Sequence, residues 1–482
     1  MFEWVEKLVM PVHIARDPGK SFSEPEEKTI DLLESLIKSS ERVLVKKLAN
    51  NDRNWAIWDA VKRRYKSNQA GPLFPEAARI DGFFPPLVQD AKISHNHSVD
   101  IEVWWPATGK YYESRFIWYS AKGPAENHLT TNPRSEFSDL APASFLLLFK
   151  SKDPGARFRG ITVDSRDEDL CEYLDEIFGV LQPDFSFREF LVKDLNLNPA
   201  LTALQALAKE VLQALLKGPA FLDSFVRSLS KRTPASIASE ALSEWRAANR
   251  NATLDPYLLP FPGDTLHELT RSLEFSIYRK DEAAYYGPLL INAIYGTARS
   301  QSPEDVVKTV IENFDAIYRI CLSASQTRKS RAGGSFEAHM AHMLRDGNVP
   351  HFAQPVFDGR TPDFVLPSKK IYLESDEVRS KSALVLTLKT TLRERWTQVV
   401  SETAGCPIFL ATLDETVPKA TLDKLEKASV RLVVPERFKT SDFAEYEAHK
   451  TVITYKSFFQ DIERSKKRAW RAAGIPCFSM GN

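Results

Sequence analysis

The sequence predicts a multidomain chain: a mostly-β N-terminal part, a helical connector, and a C-terminal α/β domain built on a mixed sheet flanked by helices. Three observations predict it. Short aromatic and β-branched runs separated by Pro, Gly and Asn crowd residues 75–180. Leucines at helical spacing dominate residues 181–250. Beyond about residue 330, helical and strand patterns alternate. With 482 residues, 43% hydrophobic and 27% charged, the chain has apolar material for two or three cores and is not a disordered one.

Residues 1–55 read as charged helix, with Ile30, Leu33, Leu36 and Ile37 on one face. The β-rich stretch follows, with runs at Ile101–Trp105, Tyr111–Tyr119, Phe145–Phe149 and Phe158–Val163. In the connector, Leu201, Leu204, Leu207, Val211, Leu212 and Leu215 form a stripe expected in a core, stopped by Gly218-Pro219. Ser302-Pro303-Glu304-Asp305 starts a helix well: a cap, a first-turn proline and two acids at the positive end. Val306, Val307, Val310, Phe314, Ile317 and Cys321 then predict a buried face. Further on, Phe336, Met340, Met343 and Leu344 share a helix face. Ser382–Lys389 reads as a strand, 394–404 as a helix, and 407–413 and 430–435 as strands.

Lys plus Arg and Asp plus Glu both total 64, so net charge is silent about nucleic acid and only local clusters speak. The four cysteines are far apart, which excludes a disulfide framework and paired zinc spacing and suits a reducing compartment. The N-terminus lacks the pattern of a signal peptide, and the longest apolar run, around Phe145–Phe149, is too short to span a bilayer. A cytoplasmic protein with no membrane partner is expected. The nine histidines form no convincing ligand set: His95 and His97 alternate on a strand, and His339 and His342 share a helix with Met340 and Met343.

One stretch, 325–402, concentrates polar chemistry. Phosphodiester hydrolysis requires an activated water and neutralisation of charge at the phosphate, and divalent metals on carboxylates supply both. Asp363 follows Pro362 at the start of Phe364-Val365-Leu366. Lys389 ends a strand on which Leu384, Leu386 and Leu388 point one way and Val385, Thr387 and Lys389 the other. Arg395, Gln398 and Glu402 share a face of the next helix, and Glu337 lies on an earlier one. Spacing alone leaves the bland alternatives open, because a Pro-Asp pair is ordinarily a turn and a lone lysine ordinarily solvated. Glu374, Asp376 and Glu377 are nearer Asp363 but read as a surface loop.

Arg328-Lys329-Ser330-Arg331-Ala332-Gly333 with Ser335-Phe336-Glu337, Pro362-Asp363-Phe364, Lys389-Thr390-Thr391 with Arg395-Trp396, Gln398 and Glu402, and Val430–Pro435 together resemble the catalytic domain of EcoRII-type restriction endonucleases. A weaker likeness reaches back through Arg271-Ser272-Leu273-Glu274-Phe275. The resemblance implies a PD-(D/E)xK nuclease fold with Mg2+ as cofactor. Asp363 and Glu402 would be the metal-binding acids, Lys389 the catalytic lysine and Glu337 the upstream helical acid. Thr387 stands where the wider superfamily keeps an acid. The implied activity is a type II site-specific deoxyribonuclease of restriction-modification, a homodimer acting on double-stranded DNA with a cognate methyltransferase as companion. The alternative is a DNA-binding regulator that keeps the fold without the catalysis.

By the same resemblance Arg393-Glu394-Arg395 would read adjacent G·C pairs, arginine on guanine O6/N7 and glutamate on cytosine N4. That implies a CC/GG core such as CCNGG or CCWGG. Arg393 departs from the lysine frequent at that place. Arg328, Lys329 and Arg331 are expected at phosphates, with Arg271 beside them, whereas Arg464, Lys466, Lys467, Arg468 and Arg471 read as a solvated helix face. Residues 111–119 and 140–149 faintly resemble the B3-like pseudobarrel effector domain of the same enzymes, which binds a second DNA copy. Arg115, Trp118, Lys122, Glu126 and Asn127 are its candidate contacts. The expected division is an effector domain at 1–180, a helical linker at 181–240 and an endonuclease domain at 241–482.

Overall fold

The computed structural model describes residues 28–106, 108–152, 157–182, 184–195, 204–250, 252–296, 302–356, 361–375, 378, 381–392, 405–472 and 474. The N-terminal unit is a nine-stranded sheet: β1 (Ser40–Lys47), β2 (Leu73–Phe74), β3 (Val88–Gln89), β4 (Asn96–Trp105), β5 (Lys110–Tyr119), β6 (Asn127–Thr130), β7 (Phe145–Ser151), β8 (Arg157–Val163) and β9 (Phe187–Leu191). Their order is β9-β1-β7-β8-β4-β5-β6-β2, with β3 also on β4. All pairs are antiparallel except β8 with β4. Helix α1 (Ile30–Lys38), capped by the Thr29 side chain, and helix α2 (Glu168–Phe178), capped by Asp167, bury Leu33, Leu36, Ile37, Leu170, Leu174 and Phe178 against one side of the sheet. The other side encloses Trp55, Phe74, Phe84, Trp105, Phe116 and Leu148.

Two expectations change here. Ser40–Lys47 is a strand and not helix: Val43, Leu44 and Val45 bury side chains on both sheet faces, an environment that favours β-branched residues. The sheet also runs past residue 180, because β9 pairs with β1.

Helices α3 (Gln205–Lys217), α4 (Pro219–Ser228) and α5 (Pro234–Ala248) follow. The leucine stripe is only half covered: Val211 is buried, Leu204, Leu207 and Leu215 are half-buried, and Leu212 is exposed, while Leu201 lies outside the described residues. Helix α5 begins before residue 241 and already belongs to the C-terminal unit, since Leu242 and Trp245 sit in its core.

That unit has a six-stranded sheet, β10 (Phe352–Ala353), β11 (Phe364–Leu366), β12 (Leu384–Lys389), β13 (Ile408–Thr412), β14 (Val430–Val434) and β15 (Val452–Thr454), in sequence order. β10, β11 and β12 pair antiparallel; β12 to β15 are parallel. Its helices include α6 (Pro262–His267), α7 (Glu274–Tyr295), α8 (Pro303–Glu312), α9 (Phe314–Asp346) and α10 (Lys419–Lys427). Leu384, Leu386 and Leu388 enter one core with Phe336, Met340 and Met343 of α9, and Val385 enters the opposite core, as alternation requires.

The stripe expected to be buried over 306–321 is not. The helix breaks at Asn313; of the expected residues Val307, Phe314 and Cys321 are exposed and Val306, Val310 and Ile317 half-buried, and Ile311, Tyr318 and Leu322 are exposed beside them. In the basic tail, Lys467 is buried rather than solvated, donating to the Gly347 carbonyl at 3.0 Å over the Tyr257 ring. None of the described helices is long and apolar enough to cross a membrane.

Candidate active site

Asp363 immediately precedes β11 and Lys389 ends β12. Antiparallel pairing of these strands, Phe364 opposite Leu386, sets the start of one beside the end of the other. Asp363 Oδ2 accepts the Leu388 amide at 2.5 Å and lies 3.6 Å from Lys389 Nζ, which also donates to the Leu388 carbonyl at 2.9 Å. The carboxylate is largely buried, and burial raises its pKa against the opposing pull of Lys389 and the Leu388 amide.

Glu337, on α9, supplies a second acid. Burial first, then the nearby Asp363 charge, raises its pKa, while Gln354 Nε2 holds Oε2 at 2.9 Å. The Gln354 amide in turn donates to the Asp363 carbonyl at 2.9 Å. Gln354 thus ties both acids together from a left-handed backbone conformation, φ 45°. Sequence patterning carries no signal for it, since it lies in a short turn without periodicity.

Asp414 is a second residue that the sequence did not single out. Its Oδ2 accepts the Leu392 amide at 2.7 Å, and its Oδ1 accepts the Thr416 amide and hydroxyl. It therefore fixes the chain just past Lys389. Glu402, expected as the third acid, and Arg393, Glu394 and Arg395, expected to read bases, lie outside the described residues, as do Asp376, Glu377 and the helix expected at 394–404. Thr387 is fully buried.

The basic cluster of α9 divides. Arg331 is a correction: it is buried, bonded to the equally buried Glu274 at 2.7 Å and stacked 4.4 Å from the Tyr278 ring centre, so no phosphate reaches it. A buried carboxylate needs a counter-charge, and Arg331 faces the helix that carries it. Arg328 forms a two-pronged bond to Glu282, at 3.2 and 2.8 Å, and lies 3.6 Å from Glu172 of α2. The Lys329 side chain lies outside the described residues. Arg271 is half-buried.

Acids of α2, from the N-terminal unit, line this surface. Glu168 Oε1 accepts the Thr391 hydroxyl at 3.5 Å, and Glu176 lies 2.7 Å from Arg279. The two units are further tied by the buried Lys47–Glu415 ion pair, and by Asn50, whose amide donates to the Asp442 carbonyl.

In the N-terminal sheet, Arg115 is exposed and paired with Asp100 at 2.7 Å. Lys122 is exposed over Tyr119. Trp118 donates to the Gly123 carbonyl and carries Arg79 at 4.0 Å over its ring, and Glu126 pairs with His128 at 3.2 Å. Asn127 is a correction: it is fully buried, donating to the Phe74 and Pro124 carbonyls and accepting from Arg79, so it holds the fold together and is not available to a base.

A mixed sheet with an aspartate and a lysine on adjoining strand ends, and a second acid from the preceding helix, defines the class of this C-terminal unit as an α/β domain with an acid–lysine site. Comparison with known proteins shows what this unit is similar to. Residues 297–459 match the family described as EcoRII C terminal. It is 34% identical over 134 residues to the type II restriction enzyme EcoRII of Escherichia coli, covering 27% of this chain and 33% of that one. It is 29% identical over 183 residues to the type II restriction enzyme SsoII of Shigella sonnei, covering 35% of this chain and 58% of that one. The chain thus spans a third and somewhat over half of the lengths of these relatives. Among solved structures, metal-depleted Ecl18kI in complex with uncleaved DNA aligns with a TM-score of 0.44 at 23% identity, over 52% of this chain and 86% of that one.

Proposed function

We propose that the chain is a type II restriction endonuclease of the PD-(D/E)xK fold, cutting double-stranded DNA at a site with a CC/GG core of the CCNGG or CCWGG kind. The observation that carries this reading is the meeting of Asp363 and Lys389 at 3.6 Å, with Glu337 near enough to feel the aspartate's charge. Two converging carboxylates suit a hard divalent cation, and among the described residues Asp363 Oδ1 has no hydrogen bond of its own. Asp363 and Glu337 would hold Mg2+, with Glu402 as the acid expected from sequence. When bound, the ion supplies an activated water and charge neutralisation at the phosphate.

The chain's own groups do the rest. Lys389, held against Asp363 and the Leu388 carbonyl, orients an attacking water or steadies the negative phosphate oxygens. Asp414 anchors the segment leading to Arg393, Glu394 and Arg395, the proposed base readers. Replacing Arg395 with Ala should relax one position of the site at a cost of ~1–3 kcal/mol.

A homodimer fits a two-fold symmetric target. The uncovered stripe of Val307, Ile311, Phe314, Tyr318 and Leu322 supports a second copy there. The N-terminal unit is read as a B3-like domain that takes a second DNA copy and gates cleavage. The contact of Glu168 with Thr391, two residues from Lys389, supports the gate. A cytoplasmic setting and a companion methyltransferase belong to the same reading.

The deciding experiment is a magnesium-dependent digest of bacteriophage DNA. Discrete bands are expected; a smear would mean a nonspecific nuclease, and binding without cutting would mean a regulator. Lys389→Ala should bind DNA and not cut it.

A further inference from the structure

Three side chains far from Asp363 converge without any role in the reading above. Asp423 and Glu426 lie on α10, three residues apart and so on one face. His449 lies in the loop that enters β15. Its imidazole is 7% exposed, while the carboxylates are 48% and 52% exposed. Nε2 stands 3.9 Å from Asp423 Oδ1 and Nδ1 stands 4.0 Å from Glu426 Oε2, too long for hydrogen bonds. Among the described residues neither ring nitrogen and neither carboxylate has a hydrogen-bond partner. A buried imidazole turned toward two acids, with nothing bonded to it, is the arrangement that a ligand would complete.

The loop behind it is held in place. Lys439 Nζ donates to the carbonyls of Tyr446, Glu447 and His449, at 2.7, 3.2 and 2.9 Å. The histidine is therefore fixed from its backbone side, and only the two exposed acids need to adjust. One donor atom from each of the three residues falls within 4.8 Å of the others. A tetrahedral zinc site, with bonds of ~2.0–2.1 Å, sets its donors about 3.4 Å apart. The two acids face different ring nitrogens and an ion takes one of them, so the carboxylate facing the other nitrogen swings across, closing a gap of up to about 1.4 Å.

We propose that Asp423, Glu426 and His449 form a binding site for a transition-metal dication of the zinc type, with water completing the shell. Imidazole with carboxylates favours zinc over magnesium, which prefers oxygen ligands throughout. The site stands apart from the acid–lysine pair. Strands β12 to β15 run parallel, and Lys389 ends its strand, whereas α10 and the His449 loop lead into the opposite ends of β14 and β15. The ion would clasp α10 to that loop, so the inference holds whether or not the chain cuts DNA.

The test is equilibrium dialysis of the full chain against zinc in excess magnesium, on an Asp363→Asn background that disables the proposed catalytic site. Zinc-edge anomalous diffraction from soaked crystals locates the ion. One bound equivalent is expected, lost both in His449→Gln and in the surface double variant Asp423→Asn with Glu426→Gln. Zinc should raise the melting temperature of the parent and leave the double variant unmoved. Equal zinc retention by parent and double variant, or no anomalous peak among the three side chains, overturns the proposal; the double variant alters exposed groups only, so misfolding does not blur the outcome.

Discussion

Asp363 grips the strand that carries Lys389: its carboxylate bonds the Leu388 amide at 2.5 Å, one residue before the lysine. The aspartate therefore has a structural task as well as the chemical one proposed for it. The two separate by substitution. Asp363→Asn keeps an oxygen for the Leu388 amide, so it should leave the fold intact while abolishing cleavage. Asp363→Ala leaves that amide unpaired beside the core and should cost a further 1–3 kcal/mol, a range of about the size seen for buried orphan donors. Denaturant unfolding of both variants beside a cleavage assay checks this; equal stability of the two would remove the structural task.

The pH profile of cleavage should report the same pair of acids. Burial raises both Asp363 and Glu337, and Glu337 is raised further by Asp363. Metal binding needs both ionised, so the acidic limb of activity should lie above the ordinary carboxylate range. The Gln354 bond stabilises the Glu337 carboxylate and works against that rise. Gln354→Asn tolerates the left-handed backbone but falls one methylene short of Glu337. The acidic limb should then move to higher pH. A limb that stays in place would separate Glu337 from the reaction.

Why these residues were unequally legible has a physical basis. Asp363 and Lys389 sit at the ends of strands whose alternation is plain in Val385, Leu386, Thr387 and Leu388, and alternation fixes which way a side chain points. Gln354 and Asp414 act from turns, where local spacing says nothing about partners distant in the chain. The sequence does not place Arg331, because a basic run looks the same whether it meets phosphate or a buried acid; only the packing of α9 on α7 turns it toward Glu274. Ser40–Lys47 reads as helix because its charged residues mask a short run buried on both faces. The stripe expected over Val306 to Cys321 has helical spacing, but amphipathicity cannot say whether the covering surface belongs to the same chain.

Arg331 offers a test of the structural role against the phosphate role. Removing one partner of a buried ion pair costs ~3–5 kcal/mol, so Arg331→Ala should be strongly destabilised. Without the guanidinium, Glu274, already raised by burial, is pushed higher still. A carboxyl raised in the folded state loses stability as pH climbs through its folded value. The defect should therefore deepen toward alkaline pH and shrink toward acid pH, where Glu274 holds a proton. Pairing Arg331→Met with Glu274→Leu should recover most of the loss. A double variant that is stable but binds DNA with a shallower salt dependence would return Arg331 to the phosphate role.

The α2 acids give the gate a direct test. Glu168, Glu172 and Glu176 face Thr391, Arg328 and Arg279, at 3.5, 3.6 and 2.7 Å. DNA phosphates reaching this surface would compete with Glu172 and Glu176 for Arg328 and Arg279, and with Glu168 for the Thr391 hydroxyl. Changing the three to glutamine removes the negative charge while keeping side-chain length, and Asp167 still caps the helix. The N-terminal unit should stay folded and stay attached, because the Lys47–Glu415 pair is untouched. Cleavage of a DNA carrying a single site should rise, and added short duplexes bearing the site should stimulate the variant less than the parent. The readout is the initial rate with and without those duplexes. An unchanged rate and unchanged stimulation would mean that α2 only docks the two units, and that any control by the N-terminal sheet travels another way.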